Sequence, residues 1–379
     1  MSMGVHAGFS VQTGTLIDNN GNPFVMRGIN HAHTWYTSKL STSLDGIATH
    51  NANTVRVVIS NGHRWSKTSN AEIADIIAQA KARQLITVLD VHDTTGFGEE
   101  GSAASLSSAV DYWLTLKDQL VGQEDYVIIN IGNEPFGNNV TVAQWVDAHK
   151  NAIKRLRDAG LTHTLMVDAP NWGQDWQDIM RYNANQVFDA DPQKNVVFSV
   201  HMYEVFNNYN TINTYISDFQ NRGIALVIGE FSQTHKGHFV DADAIMERAN
   251  TLNVGYLGWS WSGNDNSTAD LDIALNWNAN NLSSWGHKII NGSNGIKATA
   301  KVATVFSSSS EPSDPSQYPI CSTDGLDPDN DGWGWENNQS CKVNPYGYAP
   351  NGSPYCSSST VDPDNDGWGW ENELSCVVK

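Results

Sequence analysis

Val127-Ile128-Ile129-Asn130-Ile131-Gly132-Asn133-Glu134-Pro135 and Ile224-Ala225-Leu226-Val227-Ile228-Gly229-Glu230-Phe231 decide the fold of this chain. Each is a short run rich in Val and Ile that ends at a glutamate. Runs this short and this apolar predict strands covered on both faces, and in a parallel barrel the chemistry gathers where such strands end. The two glutamates lie 96 residues apart, which leaves room for three βα units and suits strands four and seven of an eightfold barrel.

Similar runs recur at 25–29, 54–59, 85–91, 164–167, 196–200 and 255–261, giving eight candidate strands in all. Helical patterns fall between them. Ile73, Ile76, Ile77 and Ala80 are spaced i, i+3, i+4 and i+7, and Trp145, Ala152, Ile153 and Leu156 share one face. Strand and helix alternating through eight repeats predict right-handed crossovers and closure into a (β/α)8 TIM barrel over 5–306. Ahead of the first strand, Phe9–Asp18 followed by Asn19-Asn20-Gly21-Asn22-Pro23 reads as a hairpin that caps the barrel bottom.

A pair of glutamates at the mouth of a barrel suits glycoside hydrolysis. One carboxyl protonates the departing glycosidic oxygen while the other attacks the anomeric carbon or activates water against it. Arg56, His92 with Asp93, Asp168, His201 with Tyr203, and the pair Trp259 and Trp261 fall at the ends of the other runs and would converge on the same mouth. Arg56 and Tyr203, if they come within hydrogen-bond reach of Glu230, would hold its carboxylate as a nucleophile, which leaves Glu134 to carry the proton.

These residues resemble glycoside hydrolase family 5, a retaining (β/α)8 family, over essentially the whole first domain. Asn133-Glu134-Pro135 matches the family's acid/base signature and Glu230 its nucleophile. Arg56, His92, Asn133, His201, Tyr203 and Trp259 stand where the family keeps supporting residues. Within the family, the stretches 28–36, 91–96, 167–176 and 258–264 most resemble bacterial endo-β-1,4-mannanases. The resemblance implies double displacement on the internal bonds of mannan, glucomannan or galactomannan, with no catalytic cofactor. It also implies that Asn133 faces the sugar 2-hydroxyl, that Trp259 floors the reacting sugar, and that His33, Trp35, Trp172, Trp176 and Trp261 are candidates for substrate contact, with Trp261 equally suited to be a core ring. An endo-β-1,4-glucanase with the same machinery and a lectin-like barrel without activity are the alternatives; the intact glutamate pair argues against the second.

After Phe306 the composition changes to Ser307-Ser308-Ser309-Ser310-Glu311-Pro312-Ser313-Asp314-Pro315, read as a linker over 307–317. Beyond it, Asp327-Pro328-Asp329-Asn330-Asp331-Gly332-Trp333-Gly334-Trp335-Glu336-Asn337 returns unchanged from Asp362, so two small modules follow at 318–343 and 353–379. Each holds two cysteines 20 residues apart, so Cys321–Cys341 and Cys356–Cys376 is the simplest of the three pairings. Asp327, Asp329 and Asp331, then Asp362, Asp364 and Asp366, alternate ahead of a glycine as calcium-loop ligands do, with Glu373 at a bidentate position in the second copy only. The Asp-Gly-Trp-Gly-Trp-Glu-Asn core resembles family 10 carbohydrate-binding modules, although one cysteine pair per repeat and the Asp-rich loop depart from them. That resemblance implies binding of cellulose or another cell-wall polysaccharide through Trp333, Trp335, Trp368 and Trp370.

Composition agrees with an exported polysaccharide enzyme. A formal charge of −19 leaves no basic face for nucleic acid or anionic lipid. Fourteen Trp and twelve Tyr in a chain with only 17% charged residues supply rings that stack on the C–H faces of sugars. Confinement of all four cysteines to the tail predicts a disulfide-stapled secreted module. Met1-Ser2-Met3-Gly4 opens no basic-then-apolar leader, so the expectation is an exported form whose signal has been removed.

Overall fold

The structure, a computed structural model, describes residues 8–306 continuously and, beyond them, 321, 333–336, 339–344, 347, 349, 353–358, 361, 367–371 and 374–378. It divides into two compact units, Met1–Phe306 and Ser307–Lys379.

Eight parallel strands close into a barrel in the first unit: β1 (Arg27–His31), β2 (Thr54–Ile59), β3 (Ile86–Val91), β4 (Val127–Asn130), β5 (Leu165–Asp168), β6 (Val196–Met202), β7 (Leu226–Phe231) and β8 (Gly255–Gly258), with β8 pairing back to β1. The helices between and after them are α1 (Leu40–Thr49), α2 (Asn70–Lys81), α3 (Leu106–Thr115), α4 (Val142–Asp158), α5 (Ile179–Ala190), α6 (Tyr209–Asn221), α7 (Ala242–Thr251) and α8 (Ser284–Asn291). Every barrel strand is buried along its whole length, as strands flanked by side chains inside and helices outside must be.

Helix placement follows the apolar spacing. Ile73, Ile76, Ile77 and Ala80 are the buried residues of α2, whose start is fixed by a capping box in which Ser69 and Glu72 satisfy each other's backbone amides. Trp145, Ala152, Ile153 and Leu156 lie on the buried face of α4, begun by the same device between Thr141 and Gln144. At the barrel bottom the hairpin Ser10–Gln12 with Thr15–Ile17 sits where the sequence placed it. Phe9, Leu16, Phe24 and Met26 close the barrel against the lower interior layer, which includes Ile86, Ile128, Met166 and Leu257.

Strand ends differ from the sequence reading in both directions. β1, β6 and β7 extend two or three residues further, through Asn30-His31, His201-Met202 and Gly229-Glu230-Phe231, where Asn30, His201 and Glu230 are paired inside the barrel and do not end the ladder. Glu230 therefore lies within β7, whereas Glu134 lies beyond the end of β4. β8 is shorter than expected, and Trp259 and Trp261 follow it as irregular chain.

In the second unit the strands Trp333–Glu336 and Gln339–Lys342 pair antiparallel, and Trp368–Glu371 and Leu374–Val377 repeat that pairing in the same register. The disulfides are Cys321–Cys341 and Cys356–Cys376, the pairing within each repeat. Trp370 is 67% exposed and Trp368 is 43% exposed, so neither ring forms a core for its module. The linker residues 307–317 and the calcium-loop candidates Asp327, Asp329, Asp331, Asp362, Asp364, Asp366 and Glu373 lie outside the described residues.

Candidate active site

Seven consecutive strands, β1 to β7, bring charged and amide side chains together at the barrel mouth around Arg56, which is wholly buried. Its Nη1 donates to Glu230 Oε1 at 2.8 Å and Asn30 Oδ1 at 2.9 Å, its Nε to Asn130 Oδ1 at 2.9 Å and its Nη2 to Asn133 Oδ1 at 2.7 Å. Nη2 also lies 3.2 Å from Asp90 and 3.6 Å from Asp168. A buried guanidinium survives only when its donors are taken and its charge is matched, and both conditions are met here. Burial would pull the Arg56 pKa down, but Asp90, Glu230 and Asp168 outweigh it and hold the group cationic.

Arg56 also sets the orientation of Asn133. A guanidinium has no acceptor, so the amide oxygen must face it and the amide nitrogen must face away. That nitrogen donates to Thr95 Oγ1 at 2.8 Å and lies 3.4 Å from His92 Nε2. Behind it, Asp90 Oδ2 is 2.8 Å from His92 Nδ1, and the His92 ring stacks on Trp259 at 5.5 Å between centroids and 19° between planes. Arg56, Asp90, His92 and Trp259 thus form a continuous support from the barrel centre to the cleft floor.

The two glutamates face each other across His201. Its Nδ1 is 2.7 Å from Glu134 Oε1 and 3.5 Å from Glu230 Oε2, while Nε2 is 3.3 Å from Asp168 Oδ2. The Tyr203 hydroxyl donates to Glu230 Oε2 at 2.8 Å. Atoms of Glu134, His201 and Glu230 fall within 4.8 Å of one another. Gly173 makes room for this arrangement: its φ is +74°, and a Cβ there would lie 2.6 Å from His201 Nδ1. Glu134 itself has φ of +39°, a conformation uncommon for a side-chain-bearing residue, pinned by hydrogen bonds from its amide to Asp168 and from Gly96 to its carbonyl.

Electrostatics follow from this crowding. Burial alone would lower the His201 pKa, but Glu230 and Asp168, with Glu134, raise it to about 10. Burial likewise raises Asp168, yet His201 and Arg56 bring it down to about 2. Burial pushes Glu230 above the ordinary glutamate value against the pull of His201 and Arg56.

These shifts set the stability profile. His201 is stabilising in full below its ordinary value of 6.5, and the contribution is lost as pH rises through about 10. Asp168 contributes above its ordinary 3.8, and the contribution is lost as pH falls through about 2. Melting temperatures of the parent and of His201→Gln, measured from pH 6 to 10.5, are expected to converge as pH rises. A constant gap would show that His201 is not cationic.

Above the glutamates runs an open cleft of about 850 Å³ lined by Trp35, Trp172, Trp176, Trp259 and Tyr203 among others. Trp172 and Trp176 are fixed by hydrogen bonds from their indole nitrogens to Glu99 and Asn138. Two expected contact residues are elsewhere. His33 is buried off the cleft beside His31, in the short helical turn that follows β1, with Glu72 and Asp75 of α2 as its charged neighbours. Trp261 is fully buried against Gly46 and His50 and is a core ring. Sequence reasoning missed Asn30, Asp90 and Asn130. The signal for Asp90 and Asn130 was a polar residue embedded in a Val/Ile run, and for Asn30 one at the end of such a run, where a buried polar group must be paired.

A family model described as cellulase (glycosyl hydrolase family 5) matches residues 17–265, and one described as a cellulose or protein binding domain matches 310–343 and again 347–378. The chain is 53% identical over 345 residues to a mannan endo-1,4-beta-mannosidase of Cellvibrio japonicus (strain Ueda107), covering 89% of this chain and 80% of that protein. It is 51% identical over 341 residues to a mannan endo-1,4-beta-mannosidase of Streptomyces lividans, covering 89% and 88%. The structure of a Streptomyces thermolilacinus beta-mannanase with mannohexaose superposes with a TM-score of 0.77 at 50% identity, covering 80% of this chain and 99% of that one. A match that spans most of the barrel, together with relatives identical at half of their aligned positions, places the chain by descent as well as by geometry: it belongs to glycosyl hydrolase family 5.

Proposed function

We propose that this chain is a retaining endo-β-1,4-mannanase, with Glu230 as nucleophile and Glu134 as acid/base. The observation that carries the mechanism is the approach of the two carboxyls, one oxygen of each lying within 4.8 Å of the other. Retaining enzymes keep their carboxyls about 5–5.5 Å apart, whereas inverting enzymes need about 6.5–9.5 Å to admit a water.

In the first step the Glu230 carboxylate forms a bond to the anomeric carbon as the glycosidic bond breaks, and its electron pair leaves on the oxygen that takes the Glu134 proton. Arg56 and the Tyr203 hydroxyl orient Glu230 by one oxygen each. In the second step Glu134 takes a proton from water, water oxygen attacks the anomeric carbon, and the ester bond to Glu230 breaks. His201, donating to Glu134, holds the carboxyl in line for both transfers. Asn133 is assigned to the 2-hydroxyl of the reacting sugar and Trp259 to its face.

Mannan is preferred over cellulose because relatives named as mannan endo-1,4-beta-mannosidases share half of their aligned residues with this chain, and because the resemblance is carried by the cleft stretches. The tail repeats are assigned to holding the enzyme on polysaccharide. The name of their matching family and the exposed indoles of Trp368 and Trp370 support this. Export is inferred from disulfides confined to that tail.

Initial rates on glucomannan, linear mannan and carboxymethylcellulose test the assignment. Mannan and glucomannan are expected to be cut at least about tenfold faster than carboxymethylcellulose at equal mass, a difference of ~1.4 kcal/mol in transition-state binding. Equal rates on cellulose would overturn the choice of sugar, and an unchanged rate in Glu134→Ala would overturn the mechanism.

A further inference from the structure

On the far side of Trp176 from the glutamates lies a second hollow of about 380 Å³, bounded by the loop 174–178 and by one face of α6. Gln174, Trp176 and Val205 border both this hollow and the catalytic cleft. The two spaces are therefore neighbours divided by an indole.

That division is rigidly built. The Trp176 nitrogen is held from the cleft side by Asn138 at 2.7 Å, and the preceding residue anchors the loop from beneath. The buried Asp175 carboxylate accepts from the amides of Met180 at 2.9 Å and Arg181 at 2.8 Å and from the Tyr215 hydroxyl at 2.7 Å. Asp175 and Asp178 both have positive φ, at +51° and +56°, so the loop is tightly specified. The indole nevertheless stays 54% exposed, so its apolar surface is open to a ligand.

The opposite wall is polar. Asn210 and Thr214 stand one turn apart on α6, both exposed, and neither makes a side-chain hydrogen bond among the described residues. The charged groups at the rim are matched, Arg181 pairing with Asp178 at 3.2 Å and with Asp218 at 3.3 Å. A fixed aromatic face opposite unengaged amide and hydroxyl groups, with its charges paired, suits an uncharged polyhydroxylated ring and not an ion.

We propose that this hollow is an auxiliary sugar pocket that takes a hexopyranose unit of a polysaccharide already lying in the cleft, with Trp176 as the shared wall. The inference rests on the cleft's being a mannan site. The unit comes either from the main chain beyond the cleft or from a galactosyl branch.

The experiment fills the pocket from its solvent side with Thr214→Trp and, independently, Asn210→Trp. Both positions are exposed on the helix, so both variants are expected to melt with the parent. For each, kcat/KM on linear mannan and on galactomannan is divided by kcat/KM on mannotetraose. The pocket is supported if that ratio falls at least about fivefold relative to the parent, chiefly through KM. A fall on both polymers assigns the pocket to the main chain, and a fall on galactomannan alone assigns it to the branch. Ratios within about twofold of the parent on both polymers in both variants would overturn the proposal. Failure of the unsubstituted chain to cut mannan would instead overturn the reading of the cleft.

Discussion

Replacing Glu230 with glutamine is expected to lower kcat on mannan by on the order of 10⁴-fold or more while the protein stays folded. The amide matches the carboxylate in shape and can still meet Arg56 and Tyr203, but it offers no anionic oxygen to the anomeric carbon. Folding is spared because Arg56 keeps two other carboxylate partners, Asp90 and Asp168. The measurement is kcat beside the melting temperature. A variant that retained a tenth of its activity would show that the bond-forming oxygen comes from elsewhere.

Arg56→Met should be the most damaging single change in the barrel. It removes the cation that faces Asp90, Asp168 and Glu230 and the donor for Asn30, Asn130 and Asn133, all within a region closed to water. Breaking a buried ionic network by deleting one partner costs about 3–5 kcal/mol. In a domain of this size that corresponds to a fall of roughly 6–20 °C in melting temperature. Activity is expected to fall with stability, since Asn133 and Glu230 both lose the group that orients them. Arg56→Lys restores charge without the planar fork and should recover part of the stability but little of the activity. Melting curves and kcat for the two variants decide this. A stable, active Arg56→Met would contradict the central role given to this side chain.

Much of the arrangement was legible before any coordinates. Eight Val/Ile runs separated by helical spacing gave the barrel, because a parallel strand buried on both faces has few other sequences available to it. The same logic placed Glu134 and Glu230 at one mouth and brought Arg56 and Tyr203 to Glu230. What the runs could not convey was pairing among polar residues within them. The apolar runs stop short of Asn30, His201 and Glu230, yet these residues continue their ladders, since a polar group matched inside the barrel does not interrupt backbone hydrogen bonding. His33 is misplaced by the sequence for a related reason, and Trp261, open there between cleft and core, is core. The motif that contained each was correct, but both lie past their strands, His33 in the short helical turn after β1 and Trp261 in irregular chain after β8, where only three-dimensional packing shows which side chain meets the cleft.

The pH dependence of the reaction carries the same signature. Glu230 must be ionised to attack, and burial raises its pKa, so kcat/KM should fall on the acid side at a pH above that of an ordinary glutamate. Weakening the cations that oppose burial should move this limb further up. His201→Gln is expected to shift it towards higher pH, and a limb that did not move would separate His201 from the charge of the nucleophile.

The covalent step is the central claim, and trapping it is the most direct test. Incubating the enzyme with a 2-deoxy-2-fluoro-β-mannosyl fluoride slows both steps and supplies a good leaving group, so the intermediate accumulates and can be located by peptide mass mapping. The expected result is one fluoromannosyl group per chain, attached to Glu230. A label on Glu134, or turnover with no covalent adduct and release of the α-anomer, would contradict it.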